Sequence, residues 1–366
     1  MNSDTKKDLV LRVVLFAVAV AVTVGLSYLI GEYIRPIFQP EGARPAQVAA
    51  APGGRTGNII GGEEATGAGQ SPARPQSPGL LMNLRSMRFI IAKFAGWFVI
   101  IALIAIFIRR GNWKRREKLI AYGISLLIFG VFFGPEPSPM HPVKDFVYRL
   151  GAMGTPVVLF LIFFLVLLIG SIILNRSICA WGCQFGVMQD FIYRLFRNEK
   201  DTKHVVTGYR PPFWIGNTVR FLTFGAVILT AFAFSYDLIG AVDPFQIFNP
   251  KAIGIGAAVF IGIVTLSSIF VYRPFCHFFC PFGLISWLAS RITVIRIRID
   301  RGSCTECGVC VAACPSNAMK GIYDGKKLPP DCYTCGSCIA SCPPNAISLS
   351  GPKGKRMSTV NESGIG

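Results

Sequence analysis

The sequence predicts a mainly α-helical membrane protein that ends in a small α+β domain. Hydrophobic residues make up 52% of its 366 positions and charged residues only 15%, and the mean hydropathy is +0.51. Soluble globular domains carry about 25% charged residues, so this composition excludes an ordinary soluble domain. The third observation is local, because eight of the twelve cysteines lie between Cys304 and Cys342.

Six apolar runs with few or no charges predict about six transmembrane helices, since roughly 20 apolar residues cross a bilayer. The fourth and sixth runs exceed that length, and the second, third and fifth need a flanking turn. The first run is longer than a signal-peptide core and lacks a small-residue cleavage site, so we interpret it as an uncleaved helix. The runs are Val13–Ile30, Phe94–Ile108, Leu119–Gly134, Leu150–Leu174, Phe221–Tyr236 and Ala252–Tyr272.

The distribution of Lys and Arg between the loops predicts the orientation. Basic clusters precede the first run and follow the second and fourth, whereas the loop after the third run has only Lys144 and Arg149 and the loop after the fifth only Lys251. By the positive-inside rule, both termini and the C-terminal domain are expected in the cytoplasm of a bacterial-type cell with the chain in its inner membrane. The net charge of +18 then predicts contact with anionic lipid and no nucleic-acid partner.

Residues 36–83 are rich in Pro, Gly and Ala and predict a flexible linker on the outer side. We assign no cofactor to its Glu64–Gly69 run. The predicted organisation is a first helix (1–35), this linker (36–83), a second helix with a basic loop (84–116), two repeat units (117–200 and 201–300), a cluster-binding domain (301–350) and a tail (351–366).

The C-terminal cysteines form two copies of C-x2-C-x2-C-x3-C-P, which is the spacing of bacterial two-cluster ferredoxins. In that pattern each cluster takes three cysteines from one copy and the last cysteine of the other copy. Structural zinc also suits four thiolates, but two complete runs of identical spacing favour two [4Fe–4S] clusters in a ferredoxin-like domain. The predicted ligands are Cys304, Cys307, Cys310 and Cys342 for one cluster, and Cys332, Cys335, Cys338 and Cys314 for the other.

The other four cysteines belong to an internal repeat. The segment Arg176–Gly186 aligns without a gap on Arg273–Gly283, 97 residues later, and each copy contains C-x3-C. Each copy follows an even-numbered helix, so we expect a duplicated two-helix unit with the cysteines near the cytoplasmic membrane surface. Three interpretations remain open: a third cluster or another soft metal, redox dithiols, or packed small residues. The four cysteines are Cys179, Cys183, Cys276 and Cys280.

The other polar residues near these motifs give weaker predictions. Arg176 and Arg273 are expected to be interface anchors that extend toward water, with stabilisation of thiolate or cluster charge as the secondary interpretation. His277 has Ala180 as its counterpart in the first copy, so it is interpreted as a packed or capping histidine. The chain has only three histidines, and none form a pair on spanning helices, so we predict no haem.

The sequence resembles the family of membrane polyferredoxins of the NapH and NosR type. The resemblance rests on the paired C-x3-C motifs followed by the two four-cysteine motifs, and it covers about residues 117–350. It implies electron transfer between membrane quinol and a partner respiratory enzyme. Two features depart from the family: Gln184 replaces the usual proline, and residues 1–116 add two helices and a linker.

The working hypothesis is a membrane electron-transfer subunit of quinol dehydrogenase type. Its expected partners are quinone or quinol and the other subunits of a membrane redox complex. Quinol oxidation also releases protons, and the candidate acceptors at the outer helix ends are Asp237, Asp243, Glu136 and His141. Two alternatives stay open: a copper- or metal-handling reductase like the oxidase assembly proteins of the CcoG type, and a non-catalytic membrane anchor.

Overall fold

In a computed structural model, the structure describes residues 80–111, 113–153, 158–198, 200–205, 208–250, 253–326 and 330–351, together with isolated positions between Arg12 and Gly25. Most of the predicted first helix, nearly all of the linker and the tail lie outside these residues. The last residues of the predicted linker are helical, because the first long helix already begins at Leu80.

The described chain is mostly helical, with one small sheet. Its longer helices are α1 (Leu80–Arg109), α2 (Arg115–Ser125, extended by a π-helical segment Leu126–Phe132), α3 (His141–Met153), α4 (Val158–Leu174), α5 (Gln184–Leu195), α6 (Phe213–Phe234), α7 (Leu238–Ala241), α8 (Ile255–Ser267), α9 (Pro274–Phe278) and α10 (Pro281–Ala289). The C-terminal domain contains β1 (Arg296–Ile299), α11 (Val309–Ala313), α12 (Ala318–Tyr323), α13 (Ser337–Ala340) and β2 (Ile347–Ser350). Short π and 3-10 turns cover Ile178–Gly182, Pro244–Phe248 and Ser290–Ile292.

Two of the described helices are long and apolar enough to cross a membrane, Arg88–Arg109 within α1 and Phe213–Phe234 of α6. Two shorter apolar helices, Phe160–Leu174 and Ile255–Ser267, match the fourth and sixth apolar runs. The helical fold class is therefore confirmed, while the number of six spans stays a prediction. Large apolar side chains such as Ile106 and Leu222 are more than half exposed on these helices, as expected of surfaces that face lipid.

After α4 the chain reverses direction and folds back along the helices. Asn175 and Arg176 both have positive φ, 44° and 60°, which allows the tight reversal. Ile178 then packs onto Gly170 of α4, where an added Cβ would lie 2.6 Å from its Cδ1 atom. Gly182 packs against Trp97, within the apolar span of α1. The first C-x3-C motif therefore lies beside α1, between the end of α4 and the start of α5.

The second repeat reverses in the same way, with Arg273 at φ 49° before α9. Helices α5 and α10 follow the two cysteine pairs, and each begins immediately after a cysteine, Cys183 or Cys280. Pro281 occupies the first turn of α10, where a missing N–H is tolerated. At the same place in α5, the side-chain Nε2 of Gln184 donates to Pro135 O at 2.8 Å.

The C-terminal domain has the α+β composition predicted for it. Strands β1 and β2 pair antiparallel, with Ile297 opposite Leu349, and both of these side chains are buried. The domain lies at the Arg109 end of α1, since Gly336 packs against Ile108. Thr334 ties it to the end of α4 by donating to Asn175 O at 2.8 Å.

Candidate functional site

The C-terminal domain brings seven of its eight cysteines into two groups. Cys310 lies within electrostatic range of Cys304 and Cys342, while Cys338 lies within range of Cys332, Cys335 and Cys314. Each group thus combines cysteines of one motif with the last cysteine of the other. Cys307 is exposed, whereas Cys310 and Cys314 are buried.

The structure also brings the four repeat cysteines together. Cys280 lies within electrostatic range of Cys276, Cys179 and Cys183, and all four thiols are at least nine-tenths buried. They line one small cavity together with one arginine, one glycine and several apolar residues, which come from both repeats and from the loops beyond α2 and α7. The other lining residues are Pro139, Met140, Arg176, Phe245, Phe275, Phe282 and Gly283.

Two glycines let the cysteine motifs approach each other. A Cβ on Gly186 would lie 2.9 Å from Cys179 O, and one on Gly283 would lie 2.9 Å from Cys276 O. Both distances are shorter than a Cβ contact allows. Gly186 and Gly283 are equivalent positions of the repeat. The same close glycine–carbonyl contact therefore occurs in both halves of the cavity.

The donors around the cavity fit an anionic metal–sulfur group. Gln189 Oε1 lies 3.7 Å from Cys276 Sγ, yet the Nε2 atom of the same buried amide has no hydrogen-bond partner among the described residues. Arg176 Nε, also buried, lacks one as well. Buried donors in proteins are normally satisfied, and sulfur atoms of a cluster accept such hydrogen bonds.

Among the described residues, no three His, Cys, Asp or Glu side chains are grouped closely enough to share a single metal ion. The ligands of a single ion lie close together, whereas the iron and sulfide atoms of a four-iron cluster hold its ligands further apart.

Arg176 and Arg273 do not extend to water, so the expectation of interface anchors is wrong. Both are at most 1% exposed, and each pairs with a fully buried carboxylate. Arg176 pairs with Asp331, and Arg273 Nη2 lies 2.7 Å from Asp190 Oδ2. Sequence reasoning missed Asp190 and Asp331, although an acidic residue within an otherwise apolar helix or beside a cluster cysteine is a signal for a buried ion pair.

Asp331 is one of three carboxylates that each bind several cations. Burial alone would raise the pKa of Asp331, but Arg176 and Arg220 hold it below its ordinary value. In the same way, Arg194 and Lys118 outweigh burial and lower the pKa of Asp201. These carboxylates are therefore ionised at neutral pH.

Tyr333 connects the cavity to the second cysteine group. It follows Cys332 directly in the chain, is 3% exposed and lies within electrostatic range of Cys276. The guanidinium carbons of Arg176 and Arg273 lie 4.5 and 4.8 Å from its ring centroid, close enough for cation–π contact. This tyrosine was also not singled out from the sequence.

On the other side of the cavity, three of the four candidate proton acceptors come together. His141 Nε2 lies 3.0 Å from Asp243 Oδ2 and 3.8 Å from Glu136 Oε1, and its Nδ1 lies 2.7 Å from Ser138 Oγ. Burial pulls the pKa of His141 down, but Asp243 outweighs it, so the pKa is raised. The fourth candidate, Asp237, pairs instead with Lys144 at 2.7 Å.

His277 is buried and packs against α6, where a Cβ on Gly216 would lie 2.3 Å from its Nε2 atom. Its Nδ1 lies 3.3 Å from Asp331 Oδ2. The side chain thus packs between the second repeat and the C-terminal domain.

Comparison with known families matches both cysteine regions. The profile described as a 4Fe-4S dicluster domain matches residues 296–343. The profile described as a 4Fe-4S binding domain matches twice, at residues 156–203 and 253–300. The two matches of this second profile begin 97 residues apart, which is also the offset between the two copies of the internal repeat.

Several proteins from bacteria are similar to the chain. The protein YccM of Escherichia coli, named for a proposed role in electron transport, is 23% identical over 46% of this chain and 48% of its own length, so the match spans about half of YccM. The methylamine utilization ferredoxin-type proteins MauN of Methylorubrum extorquens and Paracoccus denitrificans are each 25% identical, over 57% and 62% of this chain and 76% and 75% of their own lengths. No solved structure matches the chain.

These matches confirm the resemblance, the 4Fe-4S binding domains and the iron–sulfur class of chemistry expected from the cysteine spacing. Together with the named relatives, they show that the chain is similar to polyferredoxin-like proteins of iron–sulfur electron transfer.

Proposed function

We propose that the chain is a membrane electron-transfer subunit that carries electrons between the quinone pool and a partner redox enzyme. The observation that carries this proposal is the position of Tyr333 between two groups of cysteines. On one side lies the enclosed cavity of the repeats, and on the other lies the loop of Cys332 and Cys335. An electron route across the protein needs redox centres in close succession, and this arrangement provides the ligands for them.

Two [4Fe–4S] clusters in the C-terminal domain would supply one-electron redox chemistry. Cys304, Cys307, Cys310 and Cys342 would hold the first, and Cys332, Cys335, Cys338 and Cys314 the second. The grouping of Cys310 with Cys342, and of Cys338 with Cys314, supports this crossed assignment.

The residues around Tyr333 would exclude water from the route and set its electrostatics. Arg176, Arg273 and Tyr272 surround the ring, and Tyr272 Oη donates to Asp190 Oδ2 at 2.7 Å. In a buried site, fixed positive charge favours the more negative, reduced form of a neighbouring centre. The arginines are therefore expected to raise the reduction potentials of the adjacent centres.

His141 and Asp243 are the residues that support a quinol reaction on the other side of the cavity. Oxidation of one quinol gives one quinone, two electrons and two protons, so each electron transferred requires a proton acceptor. His141 is buried, and Phe245, whose ring centroid lies 5.8 Å from the imidazole, also lines the cysteine cavity. Glu136 is partly exposed beside His141, so a proton taken up by the imidazole has a route to solvent.

Electrons would be exchanged with the partner at the first cluster, because Cys307 is exposed while the cysteines of the second group are mostly covered. A groove beside this region is lined by Val309, Ala340 and Ser341 of the C-terminal domain and by the basic residues Lys114, Arg116 and Lys200. Its charge suits an acidic protein surface. This supports docking of another subunit of a membrane redox complex at this face.

Metal handling is less well supported as a function. Metal that is passed to a client must be reachable by that client, and the four repeat cysteines are at least nine-tenths buried. A purely structural anchor also leaves the buried His141–Asp243 pair without a role.

The proposal is tested with the full chain, purified without oxygen and reconstituted in lipid nanodiscs. Clusters reduced with dithionite are mixed with a short-chain quinone, oxidised clusters are mixed with the corresponding quinol, and cluster spectra are recorded by EPR. We expect cluster oxidation or reduction in at least one direction, and loss of that reaction in His141→Asn. Clusters that respond to dithionite but to neither quinone nor quinol would rule out the quinone role.

A further inference from the structure

The interface between the repeats and the C-terminal domain contains an excess of buried positive charge. We define the buried charge layer as six cations and three carboxylates, each at most 4% exposed, so that three positive charges are unmatched. Its members are Lys118, Arg176, Arg194, Arg197, Arg220, Arg273, Asp190, Asp201 and Asp331.

The carboxylates of this layer are already shared. Asp331 binds Arg176 and Arg220, with Arg220 Nη2 at 2.5 Å from its Oδ2 atom. Asp190 binds Arg273 and Arg194, each at 2.7 Å. Asp201 binds Lys118 at 3.1 Å as well as Arg194 and Arg197. No carboxylate of the layer is left over to match a further cation.

Uncompensated charge is costly in a buried site, by several kcal/mol for each ion. Cysteines that could carry negative charge lie beside the layer. Cys179 lies within electrostatic range of Arg176 and Arg273, and Cys276 of Arg273, Arg176 and Arg220. If the four repeat cysteines were neutral thiols, or two disulfides, they would contribute no negative charge at all.

A metal centre changes this balance. An iron–sulfur cubane in its oxidised form, with a core of two positive charges, becomes a dianion when four thiolates bind it. One such centre in the cavity, together with the second cluster of the C-terminal domain beyond Tyr333, provides the negative charge that the layer lacks.

The pairing of the arginines indicates one shared centre and not one centre for each repeat. Arg176 of the first repeat donates to Gly283 O of the second at 3.1 Å. Arg273 of the second donates to Ala180 O of the first at 2.9 Å. Each arginine thus fixes the backbone beside the cysteines of the opposite repeat, and each repeat by itself offers only two thiolates.

We propose that Cys179, Cys183, Cys276 and Cys280 jointly bind a single dianionic metal–thiolate centre, with Arg176 and Arg273 as the positioning residues that balance its charge. This rests on the proposed function and deepens it, because it makes the repeat cavity the first redox centre of the same route. Binding replaces the four thiol protons by the metal centre, and these protons leave to solvent.

The test measures metal and acid-labile sulfide per chain, on full-length protein purified without oxygen, in Cys179→Ser, Cys276→Ser and the double variant. These two cysteines come from opposite repeats. A single shared centre predicts that either substitution removes the same complement of metal and that the double variant removes no more. The expected loss is about four irons together with sulfide. Retained EPR signals of the C-terminal clusters show that the variants are folded.

Two results would overturn the inference. One is unchanged metal and sulfide content in both single variants. The other is additive loss in the double variant, which indicates a separate site in each repeat. If the shared centre is absent but quinone still reacts with the clusters, the proposed function stands without it. If the centre is present and quinone has no effect, the inference stands and the quinone role fails.

The role of the arginines has a separate readout. Replacing Arg176 by Gln removes a positive charge near the centre, so we expect its reduction potential to fall, whereas Arg176→Lys restores most of the original value. Arg291→Gln, on the exposed 3-10 turn before the C-terminal domain, is the matched control and should have no effect. Equal potentials in Arg176→Gln and Arg291→Gln would remove Arg176 from the charge balance.

Discussion

Arg176 and Arg273 occupy equivalent places in the two repeats, and each donates hydrogen bonds to the opposite repeat. Both residues have positive φ, both are buried, and both contact the ring of Tyr333. The two halves of the cysteine cavity are therefore held together by an exchange of side chains, and the C-terminal domain is attached at the same point. Changes at this junction should affect folding and electron transfer together.

Asp190 should be one of the most important single residues for stability. It binds Arg194 and Arg273 in a fully buried site and also accepts hydrogen bonds from Tyr122 and Tyr272. Asp190→Asn leaves two buried guanidinium groups without their counter-ion, which is expected to cost about 3–5 kcal/mol. Thermal unfolding in detergent measures this loss. Asp324→Asn, at an exposed position of the C-terminal domain, is the control, and an equally small effect at both sites would contradict the account.

The crossed cluster assignment makes a spectroscopic prediction. If Cys314 binds the same cluster as Cys338, then Cys314→Ser and Cys338→Ser should perturb the same EPR signal. Cys310→Ser should perturb the other signal, because Cys310 is grouped with Cys342. A Cys314→Ser spectrum that matches Cys310→Ser would show that each motif holds its own cluster.

Two glycines of α6 provide a matched pair for a stability measurement. Gly216 faces His277, and an added Cβ would lie 2.3 Å from the imidazole, whereas a Cβ on Gly225 meets nothing within 4 Å. Gly216→Ala is expected to lose about 1–3 kcal/mol through overpacking. Gly225→Ala should be neutral or slightly stabilising, because alanine is the better helix former by up to about 1 kcal/mol. Equal melting temperatures of the two variants would show that the contact with His277 does not restrict this position.

The pH dependence of the quinol reaction should follow His141. Only the neutral imidazole accepts a proton, and the pKa of His141 is raised because Asp243 outweighs the effect of burial. The rate of cluster reduction by quinol should therefore rise with pH through a midpoint above about 6.5. The facing charged groups are Asp243, Glu136 and Lys144.

Asp243→Asn removes the main cause of the raised pKa, so the midpoint should move to lower pH, while Asp324→Asn should leave it unchanged. Stopped-flow spectroscopy of the clusters over a range of pH measures both. A midpoint that is the same in Asp243→Asn and in the unmodified protein would separate His141 from the reaction.

The sequence was sufficient for those features that depend on spacing. It predicted the spacing of the eight C-terminal cysteines, the internal repeat with its offset of 97 residues, and the helical class. These could be read from the sequence because ligand spacing and apolar run length are local properties. The departure at Gln184 could be noted but not explained. In the structure the side-chain amide of Gln184 donates to Pro135 O. This hydrogen bond connects the loop beyond α2 to the start of α5.

The features that depend on long-range packing could not be read in the same way. The fold-back after Arg176 is set by contacts of Ile178 with α4 and of Gly182 with α1, and these contacts bring the first cysteine pair beside α1. An arginine after an apolar run ordinarily indicates the membrane boundary. Only the positions of Asp190 and Asp331, distant in the chain, show that Arg176 and Arg273 are buried ion-pair partners.

The central claim is that this chain is an iron–sulfur electron carrier with a cysteine cavity and two clusters in succession. The most direct test is a potentiometric EPR titration of the full chain, purified without oxygen, combined with its iron and sulfide content. The account predicts at least about eight irons and eight sulfides per chain, with reversible one-electron signals from two clusters that interact magnetically. Protein that is folded but contains no iron, or that shows no reversible cluster signal at any potential, would contradict it.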